Sequence, residues 1–468
     1  MHRLKNPLLY LGVTGAAIAG LLAIRTCGER LSAPPATASK IASTLRVSPD
    51  TLFHVLLALV AVIVVARGTG MLLRRFGQPP VIGEILAGIM LGPSLLGRIA
   101  PEASQFLFPP STVPLIGIIS QIGIILYMFL VGLRLDIGEL RGRTRVSVAV
   151  SHASIVLPLL LGASLALWLY PRFSSSDVSF TSFALFIGVS MSVTAFPVLA
   201  RILAERGMTN TPLGTIALAC AAVDDVTSWC LLAFLVGTVR SDSGDVVVTI
   251  GLTAGFIAVM AFAVRPVARL LTTARDERGE LTQGMFLIAC VGLLISAVAT
   301  ERIGIHALFG AFLWGVLIPR DSALARDLIA RLEDVVVVLL LPSFFAFTGM
   351  RTEIGLVGGD QLIACGLIIA IASLGKFGGS ALAARVTGLG GRESLALGIL
   401  MNTRGLMELI VLNVGLELGV VSPTLFTLLV IMAVVTTEVG HGATSHAAMP
   451  SPAWSARPRS TAMGRSSG

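Results

Sequence analysis

Two adjacent carboxylates, Asp224 and Asp225, stand near the middle of TPLGTIALACAAVDDVTSWCLLAFLVG (211–237), with Thr227 and Ser228 just beyond. The stretch is long and apolar enough to cross a bilayer as one helix. A single Asp at the centre of such a helix costs roughly 2.5–3.5 kcal/mol on insertion scales. Two in succession need a cation, a proton or a basic partner to offset them. Carboxylates and hydroxyls are hard oxygen ligands, so the chemistry on offer is binding of a small monovalent cation or of a proton in its place. Consecutive residues project about 100° apart on a helix, so one carboxylate can face a cation while the other faces a basic partner.

The chain holds only three lysines, Lys5, Lys40 and Lys376, and Lys376 alone lies inside an apolar segment. A desolvated lysine can lose its proton, whereas arginine effectively cannot. Lys376 is therefore the candidate partner of the Asp pair. Two further apolar segments carry polar or helix-breaking residues at mid-depth. SFALFIGVSMSVTAFPVLARIL contains Ser190, Ser192, Thr194 and Pro197, and SLALGILMNTRGLMELIVLNVGLEL contains Asn402, Thr403, Arg404, Gly405 and Glu408. Backbone freed from helical bonding is tolerated at that depth only when buried in protein or lining a cavity. Two broken helices crossing there would aim their dipole ends at one place, a site for a cation and its compensating charges. Arg404 and Glu408, four apart, can pair along one helix face.

The elements that must position these groups follow from composition. The sequence is 55 % hydrophobic and 13 % charged, with a mean hydropathy of +0.89, which excludes an ordinary soluble domain and reads as an all-α polytopic membrane protein. Apolar segments fall near 51–73, 81–97, 114–134, 146–170, 181–204, 213–239, 246–272, 282–300, 303–319, 335–351, 361–387, 394–418 and 423–445, about thirteen spans. Residues 1–50 hold a hydrophobic segment (7–24), either a signal or an extra helix, and a polar linker; 446–468 read as a disordered tail. The net charge of +8 does not mark a nucleic-acid face, because the arginines sit in short loops. Loops holding Arg74, Arg75, Arg141, Arg143, Arg145, Arg275 and Arg278 alternate with loops holding a single Arg98, Arg172, Arg240 or Arg302. The positive-inside rule puts the first set and the C-terminus in the cytoplasm, in a cell inner (plasma) membrane. Cys27, Cys220, Cys230, Cys290 and Cys365 show no metal or disulfide spacing. No cofactor is expected.

An internal echo divides the membrane domain, 51–445. GLRLDIG (132–138) returns as GMRTEIG (349–355), and GEILAGI (83–89) returns as GAFLWGV (310–316). The copies lie an odd number of spans apart and so run in opposite directions. This predicts two inverted six-helix repeats, about 51–239 and 282–445, joined by a linking helix near 246–272. Glu84 falls in the first of these motifs and is expected to stabilise the bundle or line an access path.

These residues resemble the monovalent cation:proton antiporters, specifically the second large branch, with its bacterial Na⁺/H⁺ and K⁺/H⁺ exchangers and plant cation/H⁺ exchangers. The resemblance covers roughly residues 50–440. It rests on GQPPVIGEILAGIMLGPSLLG (77–97), FLVGLRLDI (129–137), SVTAFPVLARIL (192–203), AAVDDVTSW (221–229), GIHALFGAF (304–312), GKFGG (375–379) and MNTRGLMELIVLNVGLELGVV (401–421). It implies that Asp225 is the cation- and proton-binding carboxylate, that Asp224 pairs with Lys376, and that Thr194 lies in an unwound crossing. Arg404 and Glu408 then occupy the basic and acidic positions of the second crossing helix. It further implies a homodimer in which a core bundle moves against a dimerisation bundle.

The expected function is secondary active exchange of Na⁺ or K⁺ for protons by alternating access, without enzymatic chemistry. A K⁺-selective efflux exchanger differs only in its ion. A non-transporting receptor on the same scaffold would bind ligand without flux. Intramembrane aspartyl proteolysis needs one carboxylate from each of two helices, which adjacent residues do not supply.

Overall fold

The structure, a computed structural model, describes residues 5–29, 31, 50–76, 80–135, 145–196, 199–200, 203, 208, 211–240 and 246–446. The polar linker, Pro197 and most of the segment after it, and the tail beyond 446 lie outside the described residues. Every regular element among those described is helical.

In chain order the α-helices are α1 (Lys5–Gly28), α2 (Thr51–Arg75), α3 (Pro80–Leu91), α4 (Leu96–Ile99), α5 (Pro101–Leu107), α6 (Val113–Arg134), α7 (Arg145–Phe173), α8 (Phe180–Ser192), α9 (Pro212–Arg240) and α10 (Val246–Val259). There follow α11 (Arg265–Arg278), α12 (Gln283–Ile303), α13 (Ala307–Leu317), α14 (Ala323–Asp334), α15 (Leu341–Met350), α16 (Asp360–Ser373), α17 (Gly379–Val386), α18 (Gly391–Met401), α19 (Leu406–Glu417) and α20 (Pro423–His446). Single π-helical turns, Met260–Val264, Val335–Leu340 and Leu374–Gly378, join α10 to α11, α14 to α15 and α16 to α17.

Among the described residues, eight helices are long and apolar enough to cross a membrane, or nine if the bent pair α18–α19 counts as one span. The expected thirteen is larger for local reasons. Helix α8 stops after 13 residues and α13 has only 11. The 335–351 segment is the second half of a longer helical run that begins with the charged α14.

The helices pack as two groups that touch mainly within themselves. One comprises α7, α8, α9 and α16–α20, with α1 laid against α7 and α8. The other comprises α2, α3, α6 and α10–α15. The second group is drawn tight by two glycine pairs. A Cβ on Gly349 would lie 2.8 Å from Gly88 Cα, and one on Gly315 would lie 3.0 Å from Gly132 Cα, so both contacts bring backbones together in the way small residues permit in membrane bundles. A hydroxyl accompanies each pair: Thr69 Oγ1 donates to the Gly83 carbonyl and Ser296 Oγ to the Gly310 carbonyl, both at 2.7 Å.

Candidate functional site

Helix α8 ends at Ser192; Val193 is extended, and Val193–Ala195 are outside any helix before the chain turns helical again at Phe196. Helix α18 ends at Met401, and Asn402–Gly405 separate it from α19 at a bend of 43°. The two breaks touch: the Ala195 N–H donates to the Thr403 carbonyl at 3.0 Å. The interruptions read from Thr194, Asn402, Thr403 and Gly405 are therefore where the helices unwind, and they meet. Pro197, assigned to the same break, is not among the described residues.

Unwinding leaves the last carbonyls of α8 without helical donors. Two buried cations supply them. Arg404 donates to the Ser190 carbonyl at 3.1 Å and the Met191 carbonyl at 2.8 Å, and Lys376 Nζ donates to the Ser192 carbonyl. Positive charge at a helix C-terminus is also favoured by the helix dipole. Arg404 further reaches Glu408 at 3.2 Å, and both side chains are wholly buried. Glu408 sits in the first turn of α19, where negative charge suits the positive end of that helix. Thr437 on α20 donates to the Arg404 carbonyl at 2.9 Å, fixing the break from behind.

The Asp pair lies on α9 beside this crossing. Asp224 is fully buried and saturated with donors: Ser151 at 2.8 Å, Ser154 at 2.5 Å, Thr194 at 2.7 Å and Lys376 at 3.3 Å. Asp225 is differently placed. It is 6 % exposed, accepts from the Phe196 backbone N–H, and its Oδ1 is buried without a hydrogen-bond partner. Ser228, three residues on along the same helix, and Asn402 in the second break likewise carry buried oxygens without partners. Oxygen atoms without partners at this depth are groups a small cation can satisfy.

The structure thus brings Asp224, Thr194, Lys376, Arg404 and Glu408 into one connected network, with Thr194 on Asp224 rather than on Asp225. Ser151 and Ser154, which hold Asp224, were not singled out from the sequence. The signal was present in SHAS (151–154): two serines three apart share one face of a membrane helix, and serine there must find a partner. Lys376 lies in the π-helical turn Leu374–Gly378, a local widening common at functional positions. Glu84 is buried on α3, in the other helix group. His54 and His152 each place Nδ1 2.9 Å from a backbone carbonyl one turn back. Among the described residues no cluster of His, Cys, Asp and Glu has the arrangement of a multivalent metal site.

The sequence matches the family model described as "Sodium/hydrogen exchanger, transmembrane" over residues 55–448. It is 44 % identical over 395 residues to the Na(+)/H(+) antiporter NhaS4 of Synechocystis sp., covering 83 % of this chain and 96 % of that protein. It is 36 % identical over 391 residues to Cation/H(+) antiporter 20 of Arabidopsis thaliana, and 32 % identical over 372 residues to K(+)/H(+) antiporter 1 of Saccharomyces cerevisiae. Those two matches span only 46 % and 42 % of the longer eukaryotic proteins. Among solved structures, the sodium proton antiporter MjNhaP1 from Methanocaldococcus jannaschii aligns with a TM-score of 0.54 at 15 % identity, over 84 % of this chain and 95 % of that one, which is a likeness of fold. With its broken, crossed helices and its matched length, the chain belongs to the sodium/hydrogen exchanger family.

Proposed function

We propose that this protein exchanges a monovalent cation, Na⁺ or K⁺, for protons, and that Asp225 carries the two in turn. One observation carries the assignment. Of two neighbouring buried carboxylates, Asp224 has every donor it can use, while Asp225 keeps an oxygen without a partner. A carboxylate already bonded by three hydroxyls and a lysine is a fixed part of the scaffold. One with a vacant oxygen is the group that gains from a cation, or from a proton that removes its charge. Ionised Asp225 takes the cation on one side; protonation on the other releases it.

In this reading Lys376, Arg404 and Glu408 compensate charge at the crossing, and Thr194, Asn402, Thr403 and Gly405 belong to the breaks that open it. The matched glycine contacts support an inverted repeat: Gly88 and Gly315 occupy the same place in the echoed motifs, as do Gly349 and Gly132. The two helix groups are the bodies whose relative motion alternates access. A homodimer and a cytoplasmic C-terminus in the inner membrane complete the proposal, the latter resting on the arginine-rich loops.

Dye-quench transport in everted vesicles tests the assignment. Asp225→Asn is expected to abolish cation-dependent proton flux with the protein still folded and inserted. Retained flux would remove Asp225 from the mechanism. Absence of flux from the unaltered protein in reconstituted liposomes would favour a receptor. Exchange with Li⁺, Na⁺, K⁺ and Rb⁺ decides the ion.

A further inference from the structure

A cavity of about 590 Å³ lies between α9, which carries the Asp pair, and helices α10 and α13 of the other group. Its walls include Trp229 and Phe234 on α9, Thr253 and Ile257 on α10, and Phe309 and Leu313 on α13. The volume is that of a site for an organic ligand, ~300–1,000 Å³. The walls offer such a ligand almost nothing polar. The Thr238 and Thr253 hydroxyls turn back onto carbonyls of their own helices at 2.7 Å, and Trp229 Nε1 has no hydrogen-bond partner. An apolar cavity of this kind does not hold water well.

Its mouth is bordered by exposed apolar side chains. Phe234 and Ile257, which line it, are 50 % and 52 % exposed, and α10 continues outward with Val248, Leu252 and Val259, all more than half exposed. Along α9 the lining runs from Trp229 to Thr238. Nine residues at helical rise make about 14 Å. That is close to half of the ~30 Å hydrocarbon core, the depth of one leaflet. Volume, depth, opening and chemistry therefore agree on one occupant.

We propose that this cavity is a binding site for one acyl chain of a membrane phospholipid, inserted from the bilayer between the Asp-bearing helix and helices α10 and α13. The chain lies against the aromatic contact that joins the two helix groups: Trp229 stacks on Phe312 at 6.3 Å between centroids and meets Phe309 edge-on at 5.5 Å. Lipid therefore fills a seam along which the groups meet, one helical turn from Asp225. The inference stands on this cavity alone and does not depend on which ion is carried.

The test uses the full chain in liposomes doped with a phosphatidylcholine bearing a diazirine midway along one acyl chain. Photolabelled positions are mapped by mass spectrometry. Labelling is expected to concentrate at least fivefold on the cavity walls relative to Leu287 and Val298 of α12, which are exposed but lie outside the cavity. It is expected to saturate as the probe fraction rises. Ala233→Phe, which fills the cavity from α9, is expected to cut wall labelling at least threefold and leave α12 unchanged; Ala254→Phe fills it from α10 should the first variant not fold. Uniform labelling, or labelling unaffected by both fillings, overturns the proposal. So does efficient bis-maleimide coupling of two chains through Cys230 on the cavity wall, which would show a second copy covering this face.

Discussion

Lys376 Nζ stands 3.3 Å from Asp224 Oδ2, and neither side chain has any exposed surface. Each charge depends on the other, because taking one away leaves its partner ionised in a medium that cannot solvate it. Breaking such a pair from one side typically costs about 3–5 kcal/mol, whereas removing both charges is far milder. Lys376→Met alone should therefore lower the melting temperature of the purified protein more than Asp224→Asn and Lys376→Met together. Thermal unfolding in detergent measures this, and equal or additive losses would show that the two groups are not coupled.

Arg404 is asked for more than charge. Its planar group spans the carbonyls of Ser190 and Met191 and the Glu408 carboxylate, three acceptors that one compact ammonium cannot reach together. Arg404→Lys should consequently lose stability despite keeping the charge, by about 1–3 kcal/mol for acceptors left unpaired. Arg404→Ala should be worse still, and adding Glu408→Ala should recover part of the loss. The check is the folded fraction surviving heating, read by size-exclusion chromatography; Arg404→Lys behaving like the unaltered protein would contradict it.

If proton and cation compete for Asp225, as proposed, the sign of the pH dependence follows. The protonated carboxyl carries no charge for a cation, so acid must weaken cation binding. The apparent KM for the cation should rise as pH falls, approaching about tenfold per pH unit where one proton is displaced per cation, with the maximal rate little changed by saturating cation. By linkage, raising the cation concentration should shift proton binding equally. Proteoliposome exchange measured over a pH series tests this; a KM that does not move with pH would argue that proton and cation use separate groups.

Much of the site was legible in the sequence because a bilayer makes polar residues conspicuous. Asp224, Asp225, Lys376, Arg404 and Glu408 stand out from apolar neighbours, and Thr194 and Asn402–Gly405 mark the breaks. What composition could not give was which of the adjacent aspartates the packing saturates with donors. That depends on Ser151 and Ser154, whose hydroxyls reach Asp224 across 73 and 70 residues of sequence. Their three-residue spacing marks one polar face of a membrane helix, but it does not say which group that face meets until the packing of α7 on α9 is known. Helix ends were less legible than apolar length: hydropathy does not register where a helix stops, and among the described residues α8 and α13 are 13 and 11 residues long.

The polar bonds joining α19 to the other helix group concern the rate of exchange. Glu417 accepts from Gln121 on α6 at 3.1 Å and from Arg351 beyond α15 at 3.4 Å, while Asn413, one turn earlier, donates to Thr348 at 2.7 Å. If the two groups slide past one another, these bonds must break before α19 moves. The Glu417–Arg351 pair is nearly a third exposed on both sides, so it is screened and weak, worth about 0.2–1 kcal/mol. Releasing about 1 kcal/mol from a barrier accelerates a step roughly fivefold. Glu417→Gln should thus raise maximal exchange by up to about fivefold without altering cation affinity, and Gln121→Ala should act in the same direction but not add fully to it. Initial rates in proteoliposomes decide the matter. An unchanged rate in both variants would mean that α6, α15 and α19 travel together, and that the sliding boundary lies elsewhere.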